Sequence, residues 1–213
     1  MPALDGWFHA VVAGLFLYLP AAVLWRRGRE LDEFGLRLAP LRRNLLLFGL
    51  LCICVFPLFA LGFVAWQHIA CAIPPLRSLA AGPCFVTSSG LLTGFTALRW
   101  PPTPLRFAAA ELLVVALPEE MFFRGYVLGR LDEVWRPTRT ILGAKLGPAL
   151  LVSSALFALC HLAVQGHPAT LAVFFPALVF GWLRERTGSV LAGTLFHAAC
   201  NLYIEVLQRS FFG

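Results

Sequence analysis

The sequence predicts an all-α membrane protein, a polytopic bundle of about six transmembrane helices. Three observations lead there. The 213 residues are 59% hydrophobic and only 13% charged, about half the ~25% charge of an ordinary soluble domain, and the mean hydropathy is +0.79. Six apolar runs approach the ~20 residues that a helix needs to cross the hydrocarbon core. Arginines and lysine fall predominantly in alternate connections between those runs, as topology signals do.

The first run, Trp7–Trp25, has Asp5 before it and Arg26, Arg27 and Arg29 after it. That is the reverse of a cleavable signal peptide, so a retained helix is expected. The second run is Asn44–Trp66. The region 67–106 then holds Pro74, Pro75, Pro83, Pro101, Pro102 and Pro104. Within it Ser78–Leu98 is uncharged but broken by glycine and proline, and reads as an interfacial or re-entrant piece, with a seventh span as the alternative. Cys71 and Cys84 bracket a loop placed outside, where a disulfide can form. Cys52, Cys54, Cys160 and Cys200 lie in apolar runs as buried thiols, and the absence of a CxxC pair argues against a thiolate zinc site.

The remaining runs are Phe107–Leu131, Gly147–Val164, Pro168–Leu183 and Ser189–Leu207. Thr187-Gly188-Ser189 reads as a helix stop followed by a new N-cap. Trp7, Trp25, Trp66, Trp100, Trp135 and Trp182 mark run ends, as interface anchors do. The chain divides into N-terminal helices with an external loop, 1–106, and a four-helix core, 107–213.

Thirteen basic residues fall on one side of a six-span arrangement: Arg26, Arg27, Arg29, Arg37, Arg42, Arg43, Arg124, Arg130, Arg136, Arg139, Lys145, Arg184 and Arg186. Only Arg77, Arg99, Arg106 and Arg209 lie opposite. The positive-inside rule makes the thirteen cytoplasmic and puts both termini outside. The net charge of +6 needs no nucleic acid to explain it, because no basic patch with interleaved aromatics occurs. Neither a GxGxxG nor a P-loop is present.

Polar residues inside the apolar runs carry the chemistry. An ionisable residue at mid-bilayer costs ~2.5–3.5 kcal/mol on insertion scales, yet Glu119 and Glu120 stand side by side within 107–131. Glu120 and Arg124 are i,i+4 in the favourable order for an ion pair. Glu119 is rotated from Glu120 by about 100° and points elsewhere, which suggests one structural and one working carboxylate. Phe157 and His161 are i,i+4 on another helix, and His197 and Asn201 on a third. A tuned carboxylate that takes a proton from water, with histidine and amide groups near it, is a set of parts for peptide-bond hydrolysis.

Glu119-Glu120-Met121-Phe122-Phe123-Arg124-Gly125 resembles the EExxxR motif of the CAAX-processing and bacteriocin-processing intramembrane proteases. Phe157-Ala158-Leu159-Cys160-His161 resembles that family's FxxxH, and His197-Ala198-Ala199-Cys200-Asn201 its HxxxN. The match covers about residues 107–205, with Gly181 and the Thr187-Gly188-Ser189 turn placed as the family would have them. The resemblance implies a glutamate-dependent endopeptidase acting on a membrane-bound protein or peptide. Glu119 would activate water with His161 assisting, His197 and Asn201 would stabilise the oxyanion, and Glu120, Arg124 and Phe157 would support them.

No cofactor is required on this reading; the alternative is a zinc ion on Glu119, His161 and His197. The chain suits a compact bacterial inner-membrane member, and the prenylated eukaryotic substrate is not carried over. A C-terminal sorting tag or a leader peptide is the expected class of substrate. Two rivals stay open: a non-catalytic scaffold or chaperone keeping the polar core for packing, and a proton-coupled transporter, which no inverted repeat supports. His9 and His68 read as interfacial and His167 as a loop residue. Glu111 reads as a snorkelling residue one turn from the outer end, and Glu205 as an edge contact of the site.

Overall fold

A computed structural model describes residues 2–80, 82, 84, 95 and 97–212. The segment Ser78–Leu98, expected to be interfacial or re-entrant, lies largely outside the described residues. The chain is mostly helical, in agreement with the all-α expectation. Helix α1 (Pro2–Arg26) is followed by a 3-10 turn, Leu31–Phe34, and by α2 (Leu41–Ala72). After the Pro74–Leu79 turn, a continuous helical rod, α3, runs from Pro104 to Val134. Then come α4 (Pro148–Gln165), α5 (Phe174–Thr187) and α6 (Leu191–Phe212).

Two local features depart from six plain helices. The basic connection after α3 forms a small antiparallel hairpin, β1 (Arg139–Ile141) with β2 (Ala144–Leu146), in which Thr140 faces Lys145. The fifth run also splits. Its first part, Pro168–Val173, is a 3-10 turn whose start is capped by the His167 side chain accepting from the Ala169 N–H. Proline is well placed at that first position because it has no N–H to leave unpaired. His167 is therefore a cap, as an exposed loop residue can be.

Helix α3 contains two π-helical segments, Glu111–Ala116 and Met121–Val127. The N–H of Leu117 reaches back five residues to the Leu112 carbonyl, and that of Leu128 to Phe123. Pro118 lies just past the end of the first segment, after Leu117. Proline cannot donate and crowds the preceding turn, and a wider i→i+5 turn is one way for a helix to accommodate it.

The pattern of burial is inside-out relative to a soluble protein. Asn44, Glu120, Arg124, Ser153, Ser154, Thr194 and His197 are buried, whereas Ile53, Leu58, Leu61 and Phe175 stand more than 60% exposed. Cys54 and Cys160, read from sequence as buried thiols, are exposed as well, and Cys160 lines a cavity of the bundle. Helices α2 and α4 are long and apolar enough to cross a membrane. The inner face of α2, with Leu47, Phe48, Leu51 and Phe56, packs on Phe180 and Leu183 of α5 and on Ala192 and Phe196 of α6. Phe16 of α1 stacks on Phe122 of α3, with ring centroids 4.5 Å apart. Arg124, counted above among the basic residues of one face, is instead buried in this core at 1% exposure.

The turn between α5 and α6 is the predicted stop and restart. Gly188 adopts φ +69°, the left-handed conformation that ends helices, and the Ser189 hydroxyl accepts from the Leu191 N–H at 3.1 Å. The connection after α1 docks against this turn: Val190 N–H donates to the Gly35 carbonyl at 2.9 Å and Arg37 Nε to the Gly188 carbonyl at 2.9 Å. Asn44, buried at the start of α2, accepts from Ala192 N–H at 3.3 Å, capping α6 from another helix.

At the opposite end of α2, Cys71 and Cys84 are joined by a disulfide. Around it Trp66 donates to the Leu79 carbonyl, Gln67 to Gly82 and Arg77 to Cys71. A bridge closing a short loop stabilises by about 2–4 kcal/mol. Cys71→Ser is accordingly expected to lower the melting temperature in detergent by several degrees, and reductant to lower that of the parent equally. A melting temperature unchanged by both would count against the bridge.

Candidate functional site

Glu119, Glu120 and Arg124 come from α3, Phe157 and His161 from α4, and His197 and Asn201 from α6. Glu120 is fully buried and its Oε1 lies 2.9 Å from Arg124 Nη1. The same oxygen is 3.1 Å from His197 Nδ1. The division expected from spacing is therefore met in part: Glu120 holds the arginine, and it also holds a histidine. A carboxylate only accepts, so His197 Nδ1 carries the hydrogen of that bond. Its other nitrogen, Nε2, faces Glu119 Oε2 at 3.7 Å.

Aromatic rings make this charged group tolerable inside an apolar bundle. The Arg124 guanidinium carbon sits 4.2 Å from the Phe157 ring centroid and 5.1 Å from that of Phe180. Desolvated contacts of this kind contribute up to about 2 kcal/mol. Arg124 Nη2 also donates to the Ala177 carbonyl at 3.4 Å. Phe180 stacks on His197 at 4.7 Å with the rings 15° apart, and Phe157 packs on His161 at 4.3 Å. Phe157 thus touches the arginine and both histidines.

His161 Nδ1 is 3.0 Å from the Phe157 carbonyl in its own helix. A carbonyl can only accept, so Nδ1 carries the proton and a neutral ring has its Nε2 lone pair free. Glu119, His161, His197 and Asn201 line one cavity of about 520 Å³, whose wall is completed by Val12, Ala13 and Phe16 of α1. Glu119 Oε2 is buried there without a hydrogen-bond partner.

Asn201 does not share the partners of His197. Its Nδ2 donates to Glu111 Oε2 at 2.8 Å. Glu111, read from sequence as snorkelling, instead lines the cavity, as does Glu205, which is also paired with Arg209 at 2.6 Å. Sequence reasoning passed over Glu111, Phe180 and Gly193. The one available signal for Glu111 was a third carboxylate in the same apolar run as Glu119 and Glu120.

At Gly193 the backbone of α6 runs beside the ion pair. A Cβ there would stand 3.0 Å from Glu120 Oε2 and 3.6 Å from the Phe180 carbonyl. Glu120 is pinned between Arg124 and His197 and has nowhere to go. Gly193→Ala is expected to destabilise by about 1–3 kcal/mol through overpacking; thermal unfolding in detergent measures this, and an unchanged melting temperature would mean that α6 gives way.

The matches to known proteins overlap this site. Residues 101–203 match the family model described as Rce1-like, type II CAAX prenyl endopeptidase. No curated protein and no solved structure matches the chain.

Proposed function

With residues 101–203 belonging to the Rce1-like, type II CAAX prenyl endopeptidase family, we propose that this protein is an intramembrane endopeptidase in which Glu119 activates water. The observation that carries the reading is a single cavity onto which α3, α4 and α6 present Glu119, His161, His197 and Asn201. In the proposed reaction a water molecule sits beside Glu119, whose carboxylate takes one proton as the water oxygen attacks the scissile carbonyl carbon. His161 Nε2 accepts from the same water and orients it. The carbonyl oxygen becomes an oxyanion and receives the free Asn201 N–H. Collapse of the tetrahedral intermediate breaks the C–N bond, and the proton held by Glu119 passes to the leaving nitrogen.

In this scheme His197 has a different role from the one its motif implies. Its Nδ1–H is engaged by Glu120, so a neutral ring presents Nε2 as an acceptor, able to receive the proton of Glu119 once Glu119 has taken it from water, rather than as an oxyanion donor. Glu120 and Arg124 fix that tautomer. The C-terminal part, 107–213, carries the chemistry and the N-terminal helices close the cavity.

Six spans with both termini outside complete the proposal. The Cys71–Cys84 bridge supports this orientation, because it lies at the far end of α2 from the arginine-rich face and disulfides persist in oxidising compartments. The bacterial inner membrane is the proposed location. The substrate would be a membrane-associated protein cut near its C-terminus, as in a sorting tag, or within a leader.

Among the described residues no three His, Cys, Asp or Glu side chains are grouped to hold a metal ion. We carry forward water activation by the carboxylate, with a zinc ion on Glu119, His161 and His197, which line the same cavity, as the alternative. The test compares the membrane proteins of a parent strain with those of a Glu119→Gln strain by terminal-peptide mass spectrometry. A protease leaves one or more membrane proteins uncut in the variant; identical termini in the two strains would favour the scaffold. Turnover of the accumulated protein by purified enzyme should survive a strong chelator, and a loss restored by added zinc would overturn the metal-free part.

A further inference from the structure

We propose that Glu111 is a positioning residue whose carboxylate orients the Asn201 amide so that one of its N–H groups stays directed at the reacting carbonyl. The inference rests on the hydrolytic reading above, in which Asn201 is the oxyanion donor.

A side-chain amide has a donor end and an acceptor end of nearly equal size. Only its neighbours decide which way round it sits. Facing the cavity with its oxygen, Asn201 would repel a developing oxyanion; facing it with nitrogen, it would stabilise one. Glu111 Oε2 receives Asn201 Nδ2 at 2.8 Å, and both residues line the cavity that holds Glu119. Because a carboxylate only accepts, the nitrogen end is the one held. The amide nitrogen has two hydrogens, so one remains after Glu111 has taken the other.

The backbone is shaped for this contact. Eight α-helical steps rotate the chain by about 800°, which would leave Glu111 and Glu119 about 80° apart on the rod. The π segment Glu111–Ala116 lies between them. Its wider turns hold more residues each, so every residue advances by a smaller angle and much of the 80° closes. Both carboxylates then reach one cavity. Glu111 bonds Asn201 while Glu119 Oε2 stays unpartnered, which separates an orienting carboxylate from a reacting one.

The rival explanation is a clamp that merely fastens α3 to α6. Exchanging the partners separates the two. In Glu111→Gln/Asn201→Asp the amide now on α3 can donate to the carboxylate now on α6, so the interhelical bond is rebuilt in reverse. Position 201, however, no longer has a side-chain N–H to offer. The melting temperature should return close to that of the parent. Turnover of the protein identified by the terminal-peptide comparison should stay about 10²-fold low, as in Asn201→Ala, the usual effect of losing an oxyanion donor, with KM little changed. Recovery of kcat in the double variant would overturn the proposal in favour of the clamp.

A second measurement needs neither activity nor the double variant. Asn44 and Asn201 are the two asparagines of the chain, so protein labelled with 15N-asparagine gives two side-chain amide pairs in an NMR spectrum. The pair that disappears in Asn201→Ala should have one proton well downfield of the other, and Glu111→Ala should bring the two together. A pair unaffected by Glu111→Ala would overturn the orienting role. If Glu119→Gln cleaves as well as the parent, the assignment of Glu119 as water activator fails by itself, and the spectrum still reports on Glu111.

Discussion

Replacing Glu119 by Gln is expected to lower kcat by about 10³-fold, within the range that a general base contributes, while the melting temperature stays within a few degrees of the parent. The asymmetry follows from what Glu119 touches. Its Oε2 is buried with no hydrogen-bond partner, and it faces His197 Nε2 at 3.7 Å. A glutamine fills the same volume and places an N–H where a lone pair of His197 can receive it. The fold therefore loses little, but the amide cannot take a proton from water. Steady-state kinetics in proteoliposomes, with circular-dichroism melting of the same preparations, measure both quantities. A variant that kept a tenth or more of the parental kcat would remove Glu119 from the proton-transfer step.

Arg124→Met should have the opposite signature, a large loss of stability. Breaking a buried pair by removing one partner costs about 3–5 kcal/mol, because the other charge is left uncompensated. Arg124 is 1% exposed and Glu120 is fully buried, with only His197 left to face the carboxylate. The contacts of the guanidinium with Phe157 and Phe180 disappear as well. In Glu120→Gln/Arg124→Met both charges are gone, and more than half of the lost stability should return. Equilibrium unfolding in mixed micelles of mild detergent and dodecyl sulfate gives the three values. Equal losses in the single and double variants would mean that packing around the arginine, rather than its charge, holds the three helices together.

The motif residues were legible because their chemistry conflicts with their surroundings. A carboxylate, a guanidinium, imidazoles and an amide inside apolar runs are expensive unless they pair, and i,i+4 spacing assigned each to a face of its own helix. The Glu120–Arg124 contact follows from that spacing alone, and the structure has it at 2.9 Å. The stop at Gly188 and the restart at Ser189 were equally local. Other features were not. A helix-period reading assumes about 3.6 residues per turn, so the π segments of α3 were invisible and Glu111 was placed one turn from the outer end instead of on the cavity. The hairpin at 139–146 is three residues per strand, too short for any alternation to register. Cys71 and Cys84 were left open as a pair because sequence gives no distance; the structure brings their Cα atoms to 5.5 Å.

By itself, then, the sequence determined a helical chain for an apolar environment and named the side chains that have to find partners inside it. Composition and periodicity suffice for that, since both act within one helix. The tertiary structure alone decided which partner each received: His197 goes to Glu120, Asn201 to Glu111, and Arg124 lies between Phe157 and Phe180. These choices depend on the rotation and axial offset of one helix against another. Contacts far apart in sequence set those quantities, such as Gly193 against Glu120 and Asn44 against Ala192, and no spacing within a single run encodes them.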